Sequence, residues 1–214
     1  GFMRLGYSKE LACRRIAVGC QWMSLPGLEY TLNDLIKINF AKVMEVALDE
    51  YMAVPESARS VEALYRLFLR HLRAARDCVA EGIDFHLAHQ YQNAPELMLN
   101  LLCHGPIEKG LDASNGGMEY YNIGVDGAAL ATVADSFAAL QQRIEDEQRL
   151  NWEDCYRAVH TNFEGAEGDY IRRMLQASDR FGHGLSRGDA WAKRISRDFA
   201  DIIISRRTPG GVLM

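Results

Sequence analysis

The chain has 214 residues, 48% hydrophobic and 25% charged, with a formal net charge of −5, which is enough for one sizeable core or two small ones. The acidic balance excludes nucleic acid as the main partner, since phosphate binding needs a basic face. No segment approaches the roughly 20 apolar residues of a membrane helix, and the start, Gly1-Phe2-Met3-Arg4, lacks the marks of a signal peptide, which together point to the cytoplasm.

Arg15-Ile16-Ala17-Val18-Gly19-Cys20 is a short apolar run ending in glycine and reads as a buried strand. Gln21 to Tyr30, with Pro26-Gly27 at its middle, reads as a loop. Thr31 has the character of an N-cap, with Asp34 three residues on, and predicts a helix near Asn33–Glu50 carrying Leu35, Ile38, Val43, Val46 and Ala47 on one stripe. Val61, Leu64, Phe68, Leu72, Ala75 and Val79 mark a second helix by their three- and four-residue spacing. Pro95 suits the first turn of a third, through Leu97, Leu101 and Leu102.

The glycine-rich stretch Gly110 to Gly117 leads into Met118–Gly124, a short strand. Asp126 is placed to cap a long helix near Gly127–Glu145, with Leu130, Val133, Phe137, Leu140 and Ile144 on its apolar face. Asn151 with Asp154 starts another helix, interrupted at Gly165, and a last one runs from about Asp189 with Trp191, Ile195, Phe199 and Ile202 on one side. The expected class is α/β, predominantly helical, with two strands that cannot form a stable sheet by themselves.

The five cysteines, Cys13, Cys20, Cys78, Cys103 and Cys155, form no CxxC pair and are odd in number, which suits a reducing compartment. His86-Leu87-Ala88-His89 puts two imidazoles at i and i+3, but no further cysteine–histidine cluster supports a metal, and a polar helix end is the better reading. Gly116-Gly117 has no lysine–serine/threonine sequel and is no phosphate loop; these glycines admit tight turns. Cys20 taken alone is a small buried hydrophobe, as single cysteines usually are.

Three stretches change that reading. They are Ile16-Ala17-Val18-Gly19-Cys20 with the Pro26-Gly27 loop and the segment that follows; Ile107-Glu108-Lys109-Gly110 with Gly116-Gly117-Met118-Glu119-Tyr120-Tyr121-Asn122 and Val133-Ala134-Asp135-Ser136; and Asn162-Phe163-Glu164-Gly165 followed by Phe181-Gly182. In this order and spacing the chain resembles the glycyl radical enzymes, the family of pyruvate formate-lyase. The resemblance implies that residues 1–214 are part of a ten-stranded α/β barrel, with the region before the cysteine loop and the radical-glycine domain lying outside this chain.

It further implies that Cys20 becomes a thiyl radical that takes a hydrogen atom from a small organic substrate or adds to it, in a formate acetyltransferase-like lyase or transferase of anaerobic metabolism. Trp22, Glu29 and Tyr121 are the substrate-binding candidates, and no metal site is expected. The implied cofactor is a glycyl radical on a glycine outside this chain. The implied partner is a radical-SAM activating enzyme that itself holds the S-adenosylmethionine and the iron–sulfur cluster. A homodimer is expected for the intact protein, and this part alone is expected to be inactive.

Two residues depart from the pattern. Dehydratases and decarboxylases of the family carry a glutamate two residues after the cysteine, where this chain has Trp22, and pyruvate formate-lyase has adjacent cysteines, where this chain has Gly19 and Gln21 beside Cys20. Tryptophan offers an N–H donor but no acid or base near neutral pH. Glu29, Glu108 and Glu119 are the alternative carboxylates, each with a solvent-exposed reading that is the simpler one. Two rival readings therefore stand beside the first: a radical dehydratase or decarboxylase using a carboxylate from elsewhere, and a non-catalytic helical remnant or assembly module.

Overall fold

The computed structural model describes residues 2–19, 22–32, 36–53, 55, 58–212 and 214. A first helix, α1 (Lys9–Arg14), is followed by four short strands, β1 (Ile16–Val18), β2 (Trp22–Ser24), β3 (Glu29–Leu32) and β4 (Lys37–Asn39). Next come α2 (Phe40–Tyr51), α3 (Val61–Asn93), α4 (Leu97–Leu102) and α5 (Pro106–Lys109). The strands β5 (Tyr120–Ile123) and β6 (Asp126–Ala128) lead into α6 (Leu130–Leu140), α7 (Trp152–His160), α8 (Gly165–Gln176) and α9 (Arg187–Ile204). The chain is α/β and mostly helical, as read from its sequence. It divides into two compact units, one made of Gly1–Ile36, Asp77–Asp126 and Ile204–Met214, the other of Lys37–Arg76 and Gly127–Ile203.

In the first unit β1 pairs antiparallel with β2, Val18 opposite Trp22 and Ile16 opposite Ser24. The strand lies where the apolar run predicts it, but it is exposed and not buried: Ile16 and Val18 are 50% and 43% accessible. Its hairpin partner supplies hydrogen bonds along one edge. The expected loop from Gln21 to Tyr30 also contains structure, since Trp22–Ser24 completes the hairpin and Glu29 opens β3.

β3 runs parallel to β5, with Glu29 opposite Tyr120, Tyr30 opposite Tyr121, Thr31 opposite Asn122 and Leu32 opposite Ile123. Thr31 is therefore a strand residue and not an N-cap; its β-branched side chain fits the pleat, and its hydroxyl meets Ser24 Oγ at 3.1 Å. Asn33, Asp34 and Leu35 lie outside the described residues. Tyr30, Ala113 and Met118 form the buried centre of this unit, with Leu32, Leu87, Leu99, Cys103 and Tyr121 packed on it. α4 begins just after Pro95, as expected, yet buries none of its residues, and Leu97, Met98, Leu101 and Leu102 are exposed.

In the second unit the helix expected from Asn33 starts later. Asn39 is the N-cap, its Oδ1 accepting the N–H groups of Ala41 and Lys42 at 3.0 and 3.2 Å. Ile38 belongs to β4, and the buried stripe of α2 is Phe40, Met44, Ala47, Leu48 and Tyr51, which leaves Val46 exposed. β4 pairs with β6, so Asp126 is in a strand and does not cap α6, which begins at Leu130 behind Ala129 in a left-handed conformation.

The rest of this unit follows the periodicity closely. Val61, Leu64, Phe68 and Leu72 of α3 are buried, as are Val133, Phe137 and Leu140 of α6 and Trp191, Ile195 and Ile202 of α9. Asn151 caps α7 by accepting the Asp154 N–H at 2.8 Å, and α8 starts at Gly165. Phe137 stacks on Trp191 with ring centroids 4.9 Å apart and meets Tyr65 and Phe68 edge-on at 5.3 and 5.6 Å. Buried Arg143 donates to the carbonyls of Met174 and Ala177 and to Ser178 Oγ, which satisfies the C-terminal end of α8.

Candidate active site

The hairpin register pairs Val18 with Trp22, so the connection between β1 and β2 is Gly19-Cys20-Gln21. Cys20 and Gln21 lie outside the described residues; their neighbours do not. Gly19 has φ +54°, in the left-handed region, and a Cβ placed on it would stand 3.5 Å from two ring carbons of Trp22. The indole of Trp22 thus lies over the residue that precedes Cys20.

Beyond β2 the backbone turns at Leu25, whose carbonyl accepts the N–H groups of Leu28 and Glu29. Glu29 is not the surface side chain that the simpler reading expected: it is 6% exposed. One carboxylate oxygen accepts the Leu25 N–H at 2.9 Å, and the other accepts the Tyr7 hydroxyl at 3.4 Å. No cation is among its partners in the described residues. Burial, and then the Glu29 charge, push the Tyr7 phenol up to about 12. The Tyr7 ring also packs on Tyr120, centroids 5.1 Å apart, and Tyr120 stands opposite Glu29 in the parallel ladder.

Tyr121, one step further along β5, has its hydroxyl engaged within the glycine-rich turn. It donates to the Ala113 carbonyl at 2.6 Å and accepts the N–H groups of Gly116 and Met118 at 2.7 and 3.4 Å. Asp112 holds the other end of that turn, accepting from Ser114, from Asn100 Nδ2 at 2.8 Å and from the Glu96 N–H at 2.9 Å. Burial raises the Asp112 carboxyl, but those donors outweigh it and hold the group below its usual range. Gly105 has φ +107°, and a Cβ there would come 2.3 Å from the Gly117 carbonyl oxygen, so only glycine fits. Tyr121→Phe, which strands two N–H donors and a carbonyl, is expected to cost about 1–3 kcal/mol of stability. Urea unfolding of the variant against the parent chain measures it, and a loss below about 0.5 kcal/mol contradicts the pinning role.

Tyr7, Tyr120 and Tyr121 line a cavity of about 430 Å³ in the first unit together with Glu119, Arg207 and the Gly210-Gly211 turn. Arg207 Nη1 donates to the Gly211 carbonyl at 3.0 Å. Trp22 and Glu29 do not line this cavity; Glu29 reaches it through Tyr7. A larger cavity of about 730 Å³ belongs to the second unit, where Met44, Leu48, Val133 and Leu140 make its wall mostly apolar. Its thiol, Cys155, is buried and pushed up to about 12, which makes it inert as a nucleophile. The second cavity also carries Glu45, Asp135, Ser136, His160 and Arg180, but the first lies in the same unit as the cysteine hairpin and meets Glu29 through Tyr7, and it is the candidate site.

The remaining sequence candidates are Glu108, Glu119 and the histidine pair, of which Glu119 alone lines the cavity. Glu108 is exposed and accepts the Gly105 N–H at 2.9 Å, a helix-capping role, and Glu119 is exposed at the cavity rim. His86 and His89 lie exposed in the last turns of α3, and no metal-binding cluster occurs among the described residues. Sequence reading named Glu29 but missed Tyr7; a glutamate opening a strand beside a proline–glycine turn was the available signal for its burial, and Tyr7 left none.

The family model described as Pyruvate formate lyase-like matches residues 1–213. The chain is 25% identical over 230 aligned residues to the (2S)-3-sulfopropanediol dehydratase of Klebsiella oxytoca, covering 99% of this chain and 27% of that protein. It is 22% identical to the trans-4-hydroxy-L-proline dehydratase of Clostridioides difficile, over 89% of this chain and 24% of the relative. Among solved structures, a glycyl radical enzyme from Archaeoglobus fulgidus superposes with a TM-score of 0.84 at 22% identity, over 99% of this chain and 28% of that one. The chain spans about a quarter of the length of the curated relatives it matches.

Proposed function

Because the chain belongs to the pyruvate formate lyase-like family of glycyl radical enzymes, we propose that it supplies the cysteine-bearing part of such an enzyme and that Cys20 is its thiyl residue. The observation that carries this is the place of Cys20 in the sequence: it falls in the connection of a β-hairpin, after a left-handed glycine, in a chain that the family model covers almost end to end. A glycyl radical borne by a glycine outside this chain, generated by a radical-SAM activating enzyme, would withdraw the thiol hydrogen. The four cysteines among the described residues are free, which suits a reducing compartment, and no helix of the described residues is long and apolar enough to cross a membrane.

The reaction we propose is dehydration of a small molecule with adjacent hydroxyl groups. Both curated relatives above are dehydratases. Acyl transfer of the formate acetyltransferase type is the weaker reading, because Gly19 and Gln21 flank Cys20 where that chemistry uses a second cysteine. In the dehydration, the Cys20 thiyl takes hydrogen from a carbon bearing a hydroxyl. The resulting radical loses the neighbouring hydroxyl as water while one proton passes from the first hydroxyl to the second. The product radical then takes the hydrogen back from Cys20, giving a carbonyl compound and water. Trp22 cannot move that proton.

The test is anaerobic activation of the intact protein followed by a panel of propane-1,2-diol, glycerol, (2S)-3-sulfopropanediol and trans-4-hydroxy-L-proline. Carbonyl formation from one of the three compounds with adjacent hydroxyls is the expected result, and loss of water from hydroxyproline alone would move the assignment away from adjacent-hydroxyl substrates. Formate released from pyruvate and coenzyme A, with no dehydration, would move the assignment to acyl transfer.

A further inference from the structure

Building on the dehydration reading, we propose that Tyr7 and Glu29 form its proton shuttle, Tyr7 meeting the substrate in the cavity and Glu29 storing the proton behind it. A carboxylate buried without a cation is costly to place in a fold, so its position calls for an explanation. Glu29 fits that description in the described residues: it is 6% exposed and partnered by one backbone N–H and one phenol. Tyr7 connects it to the cavity, because its hydroxyl donates to Glu29 while its side chain forms part of the cavity wall. The pair is also tied to the cysteine hairpin, since the N–H that Glu29 accepts belongs to Leu25, the residue after β2.

The proton balance closes on these two groups. As the first substrate hydroxyl gives its proton to the Tyr7 oxygen, Tyr7 passes its own to Glu29, and a carbonyl begins to form. As the second hydroxyl departs, Tyr7 gives it a proton and is refilled from Glu29, so water leaves and both residues return to their starting state. No oxidant or reductant enters. The phenol remains neutral throughout its resting state, being pushed up to about 12 by burial and by Glu29. The other ionisable groups lining the cavity are Glu119, Tyr120, Tyr121 and Arg207, and the Tyr121 hydroxyl is engaged by the Ala113 carbonyl. Tyr120 is itself raised, first by its hydrogen bond to Glu119, and donates there and not to Glu29.

A purely structural Glu29 would need only an acceptor for the Leu25 N–H, and glutamine retains one. In the intact, activated protein, Glu29→Gln is therefore expected to keep the glycyl radical signal and lose dehydration by about 100-fold or more, the usual worth of general acid–base catalysis. Tyr7→Phe should lose about 10-fold or more, and Glu29→Ala should recover part of its lost rate with added formate but not with chloride. Turnover by Glu29→Gln within about threefold of the parent, alongside an inert Cys20→Ser, overturns the shuttle and leaves the thiyl assignment intact. If Glu29→Gln fails to form the radical, Tyr7→Phe decides alone, and full activity in it overturns the proposal. A parent protein that dehydrates nothing in the panel removes both the shuttle and the reading beneath it.

Discussion

Serine at position 20 should abolish turnover in the intact protein while the glycyl radical still forms on activation. The substitution keeps size and polarity, so it tests the S–H bond and little else. A glycyl radical is stabilised enough that it can exchange hydrogen with a thiol but not with the stronger O–H bond of an alcohol. In the proposed reading, activation takes place on a glycine outside this chain and does not involve the thiol. Electron paramagnetic resonance and product formation on the same anaerobic sample read the two halves separately; a normal radical signal with no product is expected, and turnover near that of the parent would end the assignment. Cys13→Ser and Cys78→Ser, both exposed, should leave turnover unchanged. Cys155→Ser should cost stability before chemistry, because a buried hydroxyl without a partner replaces a small apolar thiol.

The largest stability effect is expected at Phe137. Its ring is fully buried, stacked on Trp191 and met edge-on by Tyr65 and Phe68. Phe137→Ala removes the apolar area and leaves a cavity that α3, α6 and α9 cannot close without shifting several aromatic rings. The expected loss is about 3–5 kcal/mol. Val46→Ala, on the exposed side of α2, is the matched control and should stay within about 0.5 kcal/mol. Chemical denaturation of the two variants checks this, and a loss at Phe137 below about 1 kcal/mol would mean that the aromatic cluster is looser than its ring geometry implies.

The second unit was the more legible in the sequence. Its helices are long enough to repeat the apolar period several times, so Val61, Leu64, Phe68 and Leu72, or Val133, Phe137 and Leu140, identify the buried face unaided. Helix starts were read correctly where a side chain caps them, as at Asn151, and wrongly where a plausible cap lies in a strand, as at Thr31 and Asp126. The first unit resists such reading because its strands are three or four residues long and β3 finds its partner far along the chain. Too short to show alternation, Glu29-Tyr30 looks like the end of a loop and Thr31 like a helix cap until Tyr120–Ile123 is set beside them. The Tyr7–Glu29 contact was hidden for the same reason, since it depends on that pairing and not on local sequence.

The parallel pairing of β3 with β5 also bears on how the protein reaches its native state. It joins position 29 to position 120, and parallel strands cannot pair until the chain between them has crossed back. Closing so long a loop is entropically uphill and slow compared with helix formation, although each doubling of loop length adds only about 0.6 kcal/mol. α3 and the helices of the second unit can therefore form early, while the edges of Glu29–Leu32 and Tyr120–Ile123 wait unpaired. During that interval the exposed leucines of α4 and the open strand edges are both available to other copies of the chain. Yield of soluble protein should then be limited by synthesis rate and concentration more than by the stability finally attained.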